Sequence, residues 1–323
     1  MRSDVFDFTS LIKPIKPENF FAEYWEKKPI HLKREDHDYY SSILTYQDLD
    51  EMISSGELRY PAIKLVPKGT NSFYMPETFT NNIKHGNDVF NGIPDIDKVF
   101  AAYRAGASVA LPALELNWEP LGKLCRILQT FFDHAVHANA YITAGNSKGF
   151  TPHYDPHEVF VMQIAGKKHW IIHEPPLHLP LVSQPFGAQP FAHDYDAPRP
   201  PLMEVDLEAG DLLYLPRGYV HSAATSDSFS AHVTIGVTVY TWIDLAAELF
   251  MSSMQMTQFR NALPPGFASN SEYKQILQKG IIERVNELLT SSDYDKLIDS
   301  FTKRVMAGQS KEQGSFQCNV SVE

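Results

Sequence analysis

The sequence predicts a mainly β core with helices before and after it. Three observations lead there. Between residues 138 and 240, short apolar runs alternate with Gly and Pro turns: "NAYIT", "EVFVMQI", "KHWIIH", "DLLYLP", "GYVHSA" and "SAHVTIGVTVY". Many short strands in series describe a sandwich or barrel. The segments on either side show helical spacing instead.

"PENFFAEYWEKKPIHL" opens with Pro17 and Glu18, suited to a helix first turn, and spaces Phe20, Phe21, Tyr24 and Trp25 to cover a core. "TYQDLDEMISSG" is a second helix, with Thr45 as its cap and Gly56 near its end. Residues 61–95 are rich in Pro, Gly and Asn and read as one long loop. "DIDKVFAAYRAG" is a helix, "ASVALP" a short strand and "WEPLGKLCRILQTFFDHAV" an amphipathic helix. The strand block follows, interrupted by a Pro-rich excursion at 174–201, and helices return from 241 to about 307. The last residues read as a frayed tail. The implied organisation is an N-terminal helical and loop region at 1–105, a β catalytic domain at 106–245 and a helical region at 246–323.

Bulk properties narrow the function classes. The protein has 323 residues, 43% of them hydrophobic, with a formal charge of −11. That balance argues against direct nucleic-acid binding, which usually presents a basic face. Two cysteines, Cys125 and Cys318, without a CxxC spacing, argue against a disulfide framework and a cysteine zinc site. No signal-like or membrane-spanning apolar stretch is evident, so a cytoplasmic protein is expected.

The chemistry concentrates in "TPHYDPHEVFVMQIAGKKHW". If this stretch is extended, His153 and Asp155 share a face, because residues i and i+2 of a strand point the same way. A metal held by both needs a third donor from elsewhere. "EAGDLLYLPRGYVHSA" offers His221 after a Gly-Asp turn and a Pro-x-Gly corner, the spacing by which a cupin-type double-stranded β-helix delivers a late histidine. Two histidines and one carboxylate on one face leave the other face open, as in non-haem Fe(II) oxygenases. Lys168 lies 13 positions after Asp155 and is the candidate cation for the distal carboxylate of 2-oxoglutarate. Lys167 should point outward. The competing readings are hydrogen-bonded core histidines, a surface lysine, or a retained fold with a degenerate site.

These residues carry a resemblance to the JmjC-domain 2-oxoglutarate oxygenases, and within them to the ribosomal oxygenases. It runs from about residue 18 to 263 and includes "YWEKKPIHLKREDHDYY", "AGASVALP", "NAYIT", "LEAGDLLYLPRGYVHSA" and "HVTIGVTVYTW". The resemblance implies that His153, Asp155 and His221 are iron ligands and that Lys168 holds 2-oxoglutarate. It implies that Asn139 and Tyr141 line the cosubstrate pocket, with Thr234 close by. It also implies a C-terminal helical dimerisation region, hence a homodimer, and O2 as the oxidant. The family's ribosomal group carries a winged helix after those helices; a full one is not expected here, where "DSFTKRVMAG" lies near the C-terminus. His157 stands where relatives more often have an acidic or small apolar residue. It reads as substrate-facing, exposed, or a fourth ligand. Gly236 stands where relatives can carry a small polar residue.

The expected activity is hydroxylation of a C–H bond in a side chain of a protein or peptide, with succinate and CO2 as coproducts. Residues 61–95 and 174–201 are the expected substrate walls. Alternatives are a tailoring hydroxylase of a precursor peptide, a JmjC demethylase, and a cupin-like binding protein without activity.

Overall fold

A computed structural model describes residues 5–187, 200–269 and 271–308. Part of the Pro-rich excursion, Cys318 and the C-terminal tail lie outside the described residues. The protein divides into two units, 1–239 and 240–323.

The first unit opens with helices α1 (Phe8–Ile12) and α2 (Pro17–Glu23), strand β1 (Ile30–Leu32) and helix α3 (Tyr46–Ser54). Pro17 sits in the first turn of α2, and Thr45 caps α3 through a capping box with Asp48. Such a cap is worth about 1 kcal/mol. The stretch expected to be one long loop holds β2 (Lys64–Val66) and an antiparallel hairpin of β3 (Thr80–His85) and β4 (Asp88–Pro94). Helix α4 (Ile96–Arg104), strand β5 (Ser108–Leu111) and helix α5 (Glu119–Phe132) follow. Helix α5 stops before the expected "DHAV" end, because Asp133 is left-handed (φ 53°) and Ala135 already begins the next strand.

The β core is β6 (Ala135–Thr143), β7 (Glu158–His173), β8 (Met203–Glu208), β9 (Leu212–Leu215), β10 (Val220–Ala224) and β11 (Ser230–Thr238). The two strands expected from "EVFVMQI" and "KHWIIH" are one. Its first half pairs with β9 and β11, and its second half with β8 and β10. Gly166 (φ 66°) lies where the pairing changes; a Cβ there would collide with the Phe229 carbonyl. A single strand thereby belongs to both sheets of a double-stranded β-helix. The main sheet runs β1-β9-β7-β11-β6-β5-β2, so short N-terminal strands close both its edges. Strand β8 was not foreseen, although "MEVDLE" alternates as a half-exposed strand should.

Both faces of the first half of β7 are buried, which explains its continuous apolar run, while the second half alternates. Phe160 turns outward into an aromatic cluster with Phe8, Phe20 and Tyr214, the core contact expected of the α2 aromatics. Val159 and Val161 turn inward with Leu213, Leu215, Trp170 and Tyr219. That inner cluster fills one part of the barrel, and a cavity occupies another.

The second unit contains α6 (Trp242–Ser252), α7 (Thr257–Arg260), α8 (Tyr273–Ser291) and α9 (Tyr294–Gly308). The single helix expected from "TWIDLAAELFMSSMQMTQFRNAL" is broken at 253–256 into α6 and α7. Cys125 is buried and free. Among the described residues, no helix is long and apolar enough to cross a membrane.

Candidate metal centre and its cavity

His153 and Asp155 do not lie in a strand. β7 begins only at Glu158, and His153 forms an isolated bridge with His221 on β10. The His153 N–H donates to the His221 carbonyl at 3.1 Å, and the His221 N–H returns a bond of 2.8 Å. The Asp155 carbonyl accepts from the N–H of Gly218, in the Pro-x-Gly corner, at 3.0 Å. Two distant segments are thus pinned by backbone alone. One ligand atom from each of His153, Asp155 and His221 falls within 4.8 Å of the others. The Asp155 carboxylate is 3.6 Å from His221 Nε2.

The tautomers suit a metal. His153 Nδ1 donates to the Thr151 carbonyl at 2.8 Å, and His221 Nδ1 donates to the Tyr219 carbonyl at 3.0 Å. A carbonyl only accepts, so each Nδ1 carries a proton and each Nε2 is the nitrogen left to face a metal. Burial and the neighbouring His153 push the His221 pKa down to about 4, which keeps the imidazole uncharged near neutrality. Burial by itself would raise Asp155, but His157, His221, His153 and His137 outweigh it and hold the carboxyl below its usual range. Two imidazoles and one carboxylate fit a divalent ion with open positions.

A supporting network stands beside the triad. Tyr214 donates to the Glu158 carboxylate at 2.5 Å, and Arg217 pairs with Glu26 at 2.5 Å. Arg217 also donates to the Pro180 carbonyl at 3.1 Å. Burial raises Glu158 to about 7. Glu158 follows the ligand loop and Arg217 precedes His221, so the network anchors both arms of the centre.

The triad opens on a cavity of about 390 Å³. Lys168 lines it and is 4% exposed. Its Nζ donates to the Thr143 hydroxyl at 3.2 Å and lies 6.0 Å from the Trp170 ring centre. Burial pushes Lys168 down to about 7. Lys167, on the opposite face of β7, is exposed and pairs with Asp206 at 2.9 Å. Asn139, Tyr141, Thr234 and His157 also line the cavity. The Asn139 amide oxygen accepts from the Ala113 N–H at 3.1 Å, and the Tyr141 ring stacks on His232 at 5.3 Å.

Sequence reasoning missed several cavity residues. Thr143 continues the parity of Asn139 and Tyr141 on β6, so the same i, i+2 rule reaches it. His232 sits directly opposite Tyr141 in the pairing of β11 with β6. Trp170 follows Lys168 by two on β7. Trp170 Nε1 and His232 Nδ1 are buried without a hydrogen-bond partner among the described residues. Such orphaned polar atoms are rare. Here both belong to residues lining the cavity that holds a buried lysine, which fits an anionic, acceptor-rich ligand.

Comparison with known proteins agrees with this architecture. A family profile described as JmjC domain matches residues 114–245. Ribosomal oxygenase 1 of Danio rerio is 32% identical over 267 residues, covering 80% of this chain and 46% of that protein. The bifunctional lysine-specific demethylase and histidyl-hydroxylase NO66 of Drosophila erecta is 34% identical over 230 residues, covering 70% of this chain and 33% of that protein. The sequence thus spans less than half the length of these curated relatives. Among solved structures, Escherichia coli YcfD, a ribosomal oxygenase, in complex with cobalt and succinic acid, aligns with a TM-score of 0.53. That alignment covers 90% of this protein and 71% of YcfD at 16% identity, a likeness of fold. YcfD has also been solved with cobalt and 2-oxoglutarate, where the TM-score is 0.50.

Proposed function

Because residues 114–245 are a JmjC domain in a ribosomal-oxygenase-like protein, we propose an Fe(II)- and 2-oxoglutarate-dependent oxygenase. It hydroxylates a C–H bond in a side chain of a protein or peptide and releases succinate and CO2. The observation that carries this reading is the opening of the three-donor triad onto the cavity that Lys168 lines. YcfD, whose fold is similar, has been solved with cobalt and 2-oxoglutarate.

His153, Asp155 and His221 would hold the metal through two Nε2 atoms and one carboxylate oxygen. Bound there, iron would supply the activation of O2. Lys168 takes the distal carboxylate of 2-oxoglutarate, with Thr143 steadying its ammonium. Tyr141 and Thr234 shape the walls of that pocket, and Asn139 is fixed beside them by its bond to Ala113. The buried inner cluster of β7 and β9 keeps bulk water from one side of the cavity.

A ribosomal protein is the first substrate class to try, because the relatives are named ribosomal oxygenases. The test is succinate release from Fe(II), 2-oxoglutarate and a ribosomal-protein extract, with a mass gain of about 16 Da, one oxygen atom, in one protein. Formaldehyde release instead supports demethylation, an activity that the NO66 relatives carry in their name. Turnover independent of metal contradicts both.

We also infer a homodimer formed through the second unit. Its α6 exposes Trp242 (85%), Ile243, Phe250 and Met251, more apolar surface than a lone helix normally leaves in water. The mass of a single copy in light scattering at micromolar concentration contradicts this.

A further inference from the structure

An open groove of about 550 Å³ lies on the first unit, outside the metal centre. Its lining comes from residues 57–64 and 112–117. Two links join it to the cavity on which the triad opens. Ala113, in the groove, donates its N–H to the Asn139 amide oxygen, and Asn139 lines that cavity. Lys64, also in the groove, sets its ammonium 4.8 Å from the centre of the Phe73 ring. Phe73 stands 6.3 Å from Phe150, which lines the triad's cavity 5.6 Å from the His153 ring.

The charge of the groove is opposite to that of the whole protein. The chain carries −11, yet Arg59 and Lys64 line the groove against one carboxylate, Glu57. The Arg59 guanidinium lies over the Phe90 ring at 5.2 Å. Among the described residues, neither cation pairs with a carboxylate or spends a side-chain N–H on a hydrogen bond. A cation held over a ring keeps its donors for another partner. Leu116 (74% exposed) and Tyr60 (40%) add apolar surface beside them.

Resting on the oxygenase reading above, we propose that this groove holds the stretch of the polypeptide substrate that flanks the oxidised residue, and that this stretch carries an Asp or Glu for Lys64 and Arg59. Opposite charges on groove and substrate fix the register in which the chain lies. The path from His153 through Phe150 and Phe73 to Lys64 spans about five residues of extended chain. A single-stranded nucleic acid suits the groove less, because stacked bases need open ring faces and the rings of Phe73 and Phe90 already carry the cations.

The experiment uses the full-length protein, immobilised with Mn(II) and 2-oxoglutarate, and a library of random synthetic peptides. Each peptide is about a dozen residues long, enough to run from cavity to groove in either direction. Wild type is expected to retain peptides enriched in Asp and Glu over Lys and Arg by about fivefold. Arg59→Glu/Lys64→Glu should reverse that preference toward Lys and Arg, which a merely distorted groove does not do. Lys279→Glu, on α8, should leave it unchanged. With Fe(II) and O2 in place of Mn(II), the peptides that gain an oxygen should carry the acid within about five residues of the oxygenated one.

Equal retention of acidic and basic peptides overturns the proposal. So does an acidic preference that survives the double charge reversal or is lost in Lys279→Glu, and so does tighter retention of an oligouridylate than of the acidic peptides. Retention needs no turnover and judges the groove by itself. Calorimetric binding of Mn(II) and 2-oxoglutarate by the same sample judges the oxygenase reading, which predicts that both bind.

Discussion

Lys168→Met is expected to weaken 2-oxoglutarate binding about 100-fold or more while making the unliganded protein more stable. Both effects come from one buried charge. Lys168 is 4% exposed, and among the described residues no carboxylate pairs with it. Its folded pKa is depressed to about 7, against roughly 10.4 for a free lysine. The folded state therefore binds fewer protons than the unfolded state between those values. The penalty is full below about pH 7, shrinks as pH rises, and is gone above the unfolded pKa. At about pH 7 a methionine of similar shape removes on the order of 3 kcal/mol of that penalty. Urea unfolding of the unliganded proteins at neutral pH measures the gain, and calorimetry with Mn(II) measures the loss of binding. The wild-type affinity should itself fall about tenfold per pH unit above roughly pH 7, because Lys168 must then take up a proton to meet the carboxylate. A flat profile from about pH 7 to about pH 9, or unchanged affinity in the variant, removes Lys168 from the cosubstrate site.

Asp155→Ala is expected to cut succinate formation by at least about 1000-fold and Mn(II) affinity by at least about 100-fold. The variant keeps the backbone that places the two histidines, since the Asp155 carbonyl and not its carboxylate holds Gly218. What disappears is the anionic donor of the triad, so the ion loses both a bond and a charge. Circular dichroism should be unchanged, which separates loss of ligation from loss of fold. Full activity in this variant excludes the assignment of Asp155 as a ligand.

The residues of this candidate site could be picked out in the sequence for a physical reason. Ligand chemistry fixes residue types, and barrel geometry fixes their spacing. The separation of Asp155 from Lys168 is set by one strand running from the triad to the cavity's other wall. Strand parity placed His153 beside Asp155, and the fold does bring the two together, but through a different local structure. The segment is a loop held by a bridge to His221, and only folding brings that partner close. Strands β1 and β2 escaped for the same reason. Each has three residues and exists because β9 or β5 lies alongside. The continuity of β7 was hidden by Gly166, which reads locally as a turn. In the fold it is a bend that the carbonyl of Phe229, far along the sequence, requires.

The paired backbone bonds between His153 and His221 reach past catalysis to the question of which ion arrives. They bring the two histidine segments together through the backbone, with no ion needed to hold those segments in place. Imidazole donors hold copper and zinc more tightly than ferrous iron, so a triad of this composition does not by itself favour iron. On the oxygenase reading, selection of iron then falls to supply. Protein matured in a zinc-rich medium is expected, on the same reading, to release no succinate, which metal analysis beside an activity assay checks.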